Sequence, residues 1–289
     1  MSEIAKVVVV GAGTMGHGIA QVCAQSGLRV TLTDVSEAAV AKGASAIDKS
    51  LERLVQKGKL PPEARERARA ALTTSTDPAG ASADADLVIE AVPENMALKL
   101  ELFRAISARA PSHTIFGTNT SSLSVTEIAG ATSDAARVIG LHFFNPVPVM
   151  ELLEIVRGLG TSDATTDAAR AFAARIGKRP IIVKDSPGFA TSRLGVILGC
   201  EAIRMLETGV ASAEDIDAAM ELGYRHPMGP LRLTDLVGLD VRLAILEHLH
   251  RELGEQFRPP ALLRQMVRAG RLGKKVGRGF YEYPADEKK

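Results

Sequence analysis

The stretch VVVVGAGTMG, residues 7–16, decides the fold of this chain. Four valines in a row are typical of a strand that is buried on both faces, as in a parallel sheet. The glycine pattern that follows lies between this strand and a helical segment, residues 14–26, with Gly27 as its stop. A second strand, residues 28–33, completes a strand–helix–strand unit.

This context predicts a dinucleotide-binding site. Gly11 permits the tight turn, Gly13 lets the backbone approach a pyrophosphate, and Gly16 allows the helix to pack closely on the strand. The first helical turn, with Thr14 and Met15, offers N–H groups and a partial positive charge to the phosphates. A glycine-rich turn without a ligand is the alternative interpretation.

Asp34 closes the second strand, at the position where a carboxylate accepts hydrogen bonds from the adenosine ribose. A carboxylate there also repels a 2′-phosphate, and the next cation along the chain is Lys42. The pattern therefore predicts NAD rather than NADP as the cofactor. A turn or helix-start role for Asp34 is the alternative.

The rest of the chain predicts an α/β fold followed by a helical domain. Alternating strands and helices predict a Rossmann-type doubly wound sheet with a helical hairpin insertion, residues 36–71. An all-α C-terminal domain is predicted after a boundary near residue 187, which gives domains 1–187 and 188–289. The further predicted strands are 87–92, 114–118, 138–144, 150–156 and 180–183, and the further helices are 95–109, 122–130, 162–175, 189–207, 212–221, 239–253 and 260–269.

Composition excludes several classes of function. The formal net charge of +1 argues against general electrostatic binding to nucleic acid or to an anionic membrane. The two cysteines, Cys23 and Cys200, are too far apart for a disulfide scaffold or a cysteine-built metal cluster, and no side-chain cluster has metal-ligand spacing. No apolar run is long enough to span a membrane and the N-terminus has no signal-peptide pattern, so we expect a cytoplasmic location.

His142 and Glu154 are the candidate catalytic pair. His142 lies at the carboxyl end of a predicted strand, which is the edge of an open α/β sheet where ligands bind. Glu154 lies in the next strand, with a proline-containing turn between them, so a returning strand brings the two side chains together. The carboxylate would fix the imidazole tautomer and favour its protonated form. Two unrelated polar side chains are the alternative.

The segment TNTSS, residues 118–122, ends the preceding strand at the same edge. The hydroxyl of Ser121 is a candidate substrate contact. A Ser/Thr turn that caps the following helix is the alternative, and Ser122 is the residue expected to serve as that cap.

Several motifs together resemble a known family. They are GAGTMG, Asp34, TNTSSLS, GLHFFNPVPVMELLEIVRG, KDSPGF, HPMGPLRLTDLVGLD and KKVGRGFYEY, in this order. The chain resembles the stand-alone 3-hydroxyacyl-CoA dehydrogenases over nearly its whole length, most closely the bacterial members that act on 3-hydroxybutyryl-CoA. The resemblance implies NAD-dependent, reversible oxidation of an L-3-hydroxyacyl-CoA to a 3-ketoacyl-CoA, and a homodimer formed through the C-terminal domain.

The resemblance also implies roles for individual residues. His142 matches the catalytic base, Glu154 its partner, and Ser121 a residue near the substrate oxygen and the nicotinamide. Positions that match contacts near the cofactor are Glu94, Lys99, Asn145 and Lys275, and positions that match coenzyme A contacts on the hairpin are Ser50 and Lys57. From pattern alone, Glu94, Lys99, Ser50 and Lys57 would be solvated surface residues.

One position departs from the family pattern. Ser192 stands where the family usually has an asparagine that donates a hydrogen bond near the reacting carbonyl. Serine is shorter but can still donate. Two other functions stay open: a dehydrogenase of free 3-hydroxy acids, and a crystallin-like protein that binds NAD without turnover.

Overall fold

A computed structural model describes residues 4–284. Contacts divide the chain into two units, the first ending at Ser186 and the second beginning at Pro187. The first unit contains an eight-stranded sheet in the order β3-β2-β1-β4-β5-β6-β7-β8. Its strands are β1 Lys6–Val10, β2 Arg29–Thr33, β3 Leu72–Ser75, β4 Leu87–Glu90, β5 Ile115–Thr118, β6 Val138–Phe143, β7 Leu152–Arg157 and β8 Arg179–Lys184.

The sheet is parallel from β3 to β6, while β7 runs antiparallel to β6 and β8 runs parallel to β7. After β1 the chain extends the sheet first on one side, through β2, and then on the other, through β4. Ligands of doubly wound folds bind at this switch point, outside the carboxyl ends of the strands. The predicted Rossmann-type fold is therefore confirmed.

Helices cover the sheet, and most of them begin and end close to the predicted positions, although the short helix Pro78–Ala81 was not predicted. α1 ends at Gln25 and Gly27 follows in the left-handed conformation, with φ of 76°. Ser36 caps the next helix by accepting a hydrogen bond from the N–H of Ala39. The helices of the first unit are α1 Thr14–Gln25, α2 Glu37–Gln56, α3 Pro62–Ala70, α4 Pro78–Ala81, α5 Met96–Ser107, α6 Val125–Ala129 and α7 Asp163–Arg175.

The sequence analysis missed β3. This strand is short and polar (Leu-Thr-Thr-Ser), and it pairs only with β2, where the hydroxyls of Thr31 and Thr73 lie 3.0 Å apart. An edge strand needs only one apolar face, so it lacks the continuous apolar run that marks the central strands. Because β3 follows α3 directly, the hairpin α2–α3 is also the connection from β2 to β3.

The second unit is helical. Its helices are α8 Thr191–Glu207, α9 Ala213–Ala218, α10 Pro230–Val237, α11 Leu239–Leu253 and α12 Ala261–Arg268. The helix predicted over 212–221 continues past α9 as a π-helical turn, Ala219–Gly223. α10 was missed because prolines and glycines surround it, although Pro230 occupies its first turn, where a missing N–H costs nothing.

Hydrogen bonds to a buried carboxylate hold the segment after α12 against the helices of this unit. Asp235, on α10, accepts hydrogen bonds from the N–H groups of Phe280 and Tyr281 and from the hydroxyl of Tyr283. Burial raises the pKa of Asp235 more than these hydrogen bonds lower it. Asp217 also holds this segment, since it accepts a hydrogen bond from the hydroxyl of Tyr281.

Candidate active site

The glycine turn between β1 and α1 has the shape that a dinucleotide requires. Gly11 has φ of 103°, and a Cβ there would lie 2.6 Å from the carbonyl oxygen of Ala91. A Cβ on Gly16 would lie 1.6 Å from the carbonyl oxygen of Gly11, so neither glycine tolerates a side chain. Both glycines are therefore required by the protein's own packing.

Gly13 differs from the other two glycines. A Cβ built there meets no atom of the described chain within 4 Å, so the protein itself does not require glycine. Gly13 is the N-cap of α1, and within the described residues no side chain accepts the N–H groups of this helix start. Thr14 and Met15 form the first turn. The open space and the uncapped helix start fit a pyrophosphate that approaches the backbone.

Asp34 lies beside this turn. One carboxylate oxygen accepts the N–H of Ala12 and the other accepts the N–H of Val35, each at 2.8 Å. These bonds hold the carboxylate at the carboxyl end of β2, and a carboxylate has further lone pairs with which to accept ribose hydroxyls. The glycine turn and Asp34, predicted separately from the sequence, therefore form one site that fits NAD.

Asp34→Ala is expected to reduce the preference for NAD over NADP by about 10- to 100-fold. The substitution removes the charged acceptor of the ribose hydroxyls of NAD, and it also removes the carboxylate that repels the 2′-phosphate of NADP. The measurement is the ratio of kcat/KM with the two cofactors. Asp167→Ala, at an exposed position of α7, is the matched control and should leave the ratio unchanged. An unchanged ratio in Asp34→Ala would contradict the assignment.

His142 and Glu154 are neighbours on adjoining strands. The antiparallel register of β6 and β7 pairs these two residues directly, so their side chains share one face of the sheet. The imidazole Nδ1 lies 2.6 Å from Oε2 of Glu154. His142 is 7% exposed and Glu154 is fully buried. An ionised carboxylate only accepts, so this hydrogen bond favours the tautomer with the proton on Nδ1 and leaves Nε2 as the basic nitrogen.

The segment after β5 lies at the same edge of the sheet. Asn119 accepts the N–H of Phe143, next to His142, and so joins the carboxyl ends of β5 and β6. One oxygen of Glu94 accepts the hydroxyl of Thr120 at 2.5 Å and the N–H of Ser121 at 2.9 Å. Glu94 thereby holds the turn that contains Ser121.

The expected cap of the following helix was wrong. Ser124, not Ser122, is the N-cap of α6, and its hydroxyl accepts the N–H of Glu127. Ser122 instead donates its N–H and its hydroxyl to Glu94, both at 3.2 Å. The capping residue is set by where the helix starts, three residues later than predicted.

Glu94 contacts a buried ion pair formed by Lys99 and Glu90. Nζ of Lys99 lies 2.6 Å from Glu90 and 3.2 Å from Glu94, and the side chains of Lys99 and Glu90 are almost completely buried. Burial has the largest effect on Glu94 and raises its pKa. The charge of Lys99 and the hydrogen bonds from Thr120 and Ser121 outweigh burial, so the pKa of Glu94 is below its ordinary value.

The interpretation of Lys99 as a solvated surface residue is therefore wrong. Glu90, which also accepts the hydroxyl of Thr118, was missed. The sequence did contain a signal, since a carboxylate inside the apolar strand LVIEAV needs a buried partner, and Lys99 follows nine residues later.

A cleft of about 570 Å³ lies along α2 and faces the turn after β6. It brings together Ser50, Lys57 and Asn145, which were predicted separately. Four cationic side chains line it, and none of the described residues that line it is acidic. The cations are Lys49, Arg53, Lys57 and Lys59. The sequence analysis singled out only Lys57, although Lys49, Arg53 and Lys57 follow the spacing of one helical face.

Two predicted residues belong to the second unit. Ser192 is the second residue of α8. Lys275 donates to both carboxylate oxygens of Asp240, at 2.6 and 2.7 Å, and this hydrogen bond is the main reason that the pKa of Asp240 is lowered. The predicted roles of Ser192 and Lys275 stay predictions.

The described part of the chain shows neither a metal-binding cluster nor a membrane-spanning helix. Residues 4–284 contain no group of three or more histidine, cysteine, aspartate or glutamate side chains placed to hold a metal ion. Within the same residues, no helix combines the length and the apolar character needed to cross a membrane.

Comparison with known proteins covers both units. The family model described as 3-hydroxyacyl-CoA dehydrogenase, NAD binding domain, matches residues 6–186, and the model for the C-terminal domain of the same family matches residues 188–283. A probable 3-hydroxybutyryl-CoA dehydrogenase of Bacillus subtilis is 46% identical over 282 residues, which is 97% of this chain and 98% of that protein.

The chain is also similar to a mitochondrial enzyme and to proteins of known structure. The mitochondrial hydroxyacyl-coenzyme A dehydrogenase of Rattus norvegicus is 46% identical, over 97% of this chain and 91% of that protein. The crystal structure of (S)-3-hydroxybutyryl-CoA dehydrogenase from Ralstonia eutropha superposes with a TM-score of 0.94 at 48% identity, covering 98% of this chain and 100% of that one.

Proposed function

The chain belongs to the 3-hydroxyacyl-CoA dehydrogenase family, and from this premise we propose that it catalyses the reversible oxidation of a short-chain L-3-hydroxyacyl-CoA, such as 3-hydroxybutyryl-CoA, to the 3-ketoacyl-CoA. NAD is the cofactor of the family. The observation that supports the proposal most strongly is the 2.6 Å contact between His142 and Glu154 at the edge of the sheet where the glycine turn also lies.

His142 is the general base of the proposed mechanism. Its Nδ1–H donates to Glu154, and Nε2 takes the proton from the 3-hydroxyl group. NAD, when bound, would accept the hydride that leaves C3. The buried carboxylate of Glu154 then stabilises the imidazolium that forms. In the reverse direction the imidazolium returns this proton to the 3-oxygen.

Ser121 and Ser192 orient the 3-oxygen of the substrate in this proposal. The fixed position of Ser121 follows from its hydrogen bonds to Glu94, whose lowered pKa keeps the carboxylate ionised at neutral pH. Ser192 takes the place of the longer asparagine, and a bridging water would complete its reach. Lys99 acts through Glu94, because its Nζ already contacts Glu90 and Glu94.

The cofactor site combines the glycine turn, the first turn of α1 and Asp34. Gly13 admits the pyrophosphate, and Asp34 accepts the ribose hydroxyls. Asn145 and Lys275 are proposed to complete the site near the nicotinamide.

The cleft along α2 binds the phosphates of coenzyme A in this proposal. Ser50 supplies a hydroxyl and Lys57 supplies a charge, and the other three cations of the cleft add to the attraction. Salt screens the attraction between exposed cations and a phosphate, so the affinity for the thioester should weaken as ionic strength rises.

Lys57→Ala is expected to raise KM for acetoacetyl-CoA about tenfold at low salt and to leave kcat nearly unchanged. The substitution removes one charge-assisted contact to the phosphates of coenzyme A, and these phosphates lie far from the reacting carbon. Steady-state kinetics measure both constants. Lys42→Ala, on the same helix and exposed outside the cleft, is the matched control. An equal KM in Lys57→Ala and the wild type would contradict the phosphate site.

The function is tested by the loss of NADH absorbance with acetoacetyl-CoA. Turnover supports the proposal. Binding of NADH without turnover would favour the crystallin-like alternative, and equal turnover of free 3-hydroxybutyrate and its thioester would favour a dehydrogenase of free acids.

We further propose a homodimer formed through the second unit. This unit exposes large apolar side chains, among them Leu194 on α8 (69% exposed), Val210 in the loop after α8 (64%) and Leu222 in the π-helical turn (82%). A monomer in light scattering at micromolar concentration would contradict the dimer. The cytoplasmic location also stays a prediction.

A further inference from the structure

The turn between β6 and β7, residues 144–151, joins the two strands that carry His142 and Glu154. Of residues 144–151, only Val147 is buried, and the others are half-buried or exposed. The turn lines the cleft along α2, and its Asn145 is proposed to lie near the nicotinamide. The position of this mostly exposed turn therefore affects both the thioester and the cofactor ends of the proposed site.

Lys178 holds this turn from the neighbouring part of the sheet. It directly precedes β8, whose first residue, Arg179, pairs with Leu152 of β7, so Lys178 lies at the same edge of the sheet as the turn. Its Nζ donates to the carbonyl oxygens of Val147 and Met150, both at 2.6 Å. Hydrogen bonds from a charged donor are stronger than those between neutral groups, so these two contacts fix the turn firmly.

The lysine is costly to keep in this place. It is 8% exposed, and burial lowers the pKa of Lys178, while the negative charge of Glu151 offsets part of that effect. An apolar side chain would fill the same space without the cost of removing an ammonium group from water. What the ammonium adds is a donor for two main-chain carbonyl groups.

The turn also packs on α1. A Cβ built on Gly18 would lie 2.9 Å from Cβ of Val147, closer than two such carbons can approach, so the absence of a side chain at Gly18 lets the turn reach the helix. α1 begins at the glycine turn of the cofactor site. Val147 and Lys178 together therefore fix the turn relative to that site.

We propose that Lys178 is a positioning residue of the reaction, which holds the turn so that Asn145 meets the nicotinamide and the neighbouring turn residues face the acyl-CoA thioester. This inference rests on the proposed function. Lys178 acts only through the turn, since its buried Nζ is engaged with the two carbonyl groups.

Lys178→Met tests the proposal in steady-state kinetics with acetoacetyl-CoA and NADH. It keeps most of the bulk of the side chain but leaves two carbonyl groups without their donor, so kcat/KM should fall about 10- to 100-fold. Both constants should change, because the turn serves the nicotinamide and the thioester, whereas Lys57→Ala should change KM alone. NADH binding should stay near normal, since the glycine turn and Asp34 are untouched.

Arg137→Met is the matched control. Arg137 also donates to two main-chain carbonyl oxygens, those of Pro111 and Thr114, both at 3.1 Å, but it precedes β6 and so lies at the opposite edge of the sheet. Both variants should unfold at a lower temperature than the wild type, yet Arg137→Met should keep kcat/KM within about threefold. An equal loss of activity in the two variants would mean that general destabilisation is the cause, and would overturn the inference.

Gly18→Ala displaces the same turn without altering Lys178, and it tests the proposal even where Lys178→Met fails to fold. Alanine stabilises a helix relative to glycine, so α1 should form, while the added Cβ pushes against Val147 and should lower kcat/KM at least about fivefold. In the double variant the two losses should combine to less than their product, because both substitutions move one turn. Wild-type kinetics in Gly18→Ala, or losses that multiply in full, would contradict the proposal.

Hydrogen exchange without substrate distinguishes a failure of this inference from a failure of the proposed function. The amides of residues 144–151 should exchange at least about tenfold faster in Lys178→Met than in the wild type, and at the wild-type rate in Arg137→Met. Unchanged exchange or unchanged kinetics in Lys178→Met would overturn the inference. If the exchange rose as expected but the wild type did not reduce acetoacetyl-CoA, the contact between Lys178 and the turn would stand and the proposed function would fail.

Discussion

His142→Gln is expected to lose about 10²- to 10⁴-fold in kcat/KM for 3-hydroxybutyryl-CoA, the range that general acid–base catalysis contributes. Glutamine has a similar reach and its amide can still donate to Glu154, but it cannot take up a proton. NAD binding should stay near normal, because the glycine turn and Asp34 are untouched. Steady-state rates and a titration of NADH fluorescence measure the two effects separately.

Glu154→Gln is the companion variant. It keeps the imidazole and removes only the charge that stabilises the imidazolium, so it should lose less activity than His142→Gln. Wild-type-like turnover by His142→Gln, with NADH bound normally, would rule out the mechanism.

Lys99→Met is expected to lower the free energy of unfolding by about 3–5 kcal/mol, since it leaves the buried carboxylate of Glu90 without its cation. The same substitution removes the positive charge beside Glu94, so the turn that contains Ser121 should become less ordered and activity should fall as well. Chemical denaturation measures the first effect, and kcat measures the second.

The double variant Lys99→Met/Glu90→Gln tests the cause. A glutamine at position 90 is neutral, its amide oxygen can accept the N–H of Val92, and its amide nitrogen can donate to the hydroxyl oxygen of Thr118, so most of the lost stability should return. Lys42→Met is the control for the loss of an exposed lysine. A Lys99→Met protein as stable as the wild type would show that the pair contributes nothing to the fold.

The parts of the fold that were predicted correctly depend on local patterns. The valine run, the glycine turn and the cap at Ser36 each specify their conformation within a few residues. The pairing of His142 with Glu154 was predictable for a related reason, because two strands joined by a short turn return on each other in antiparallel register.

The features that were missed depend on distant partners. β3 is a strand only because β2 offers it an edge, and α10 begins with a proline that elsewhere would end a helix. The cationic cleft combines side chains of α2 with Asn145 from a turn far along the sequence, so no short stretch of sequence contains it.

The hydrogen bonds between Asp235 and the last described segment have a consequence for biosynthesis. Phe280, Tyr281 and Tyr283 follow Asp235 by 45, 46 and 48 residues, so a ribosome releases the carboxylate well before the groups that satisfy it. The sheet, by contrast, is complete once Lys184 has left the exit tunnel. A nascent chain can therefore fold its first unit during translation, while the second must wait for these late residues to emerge.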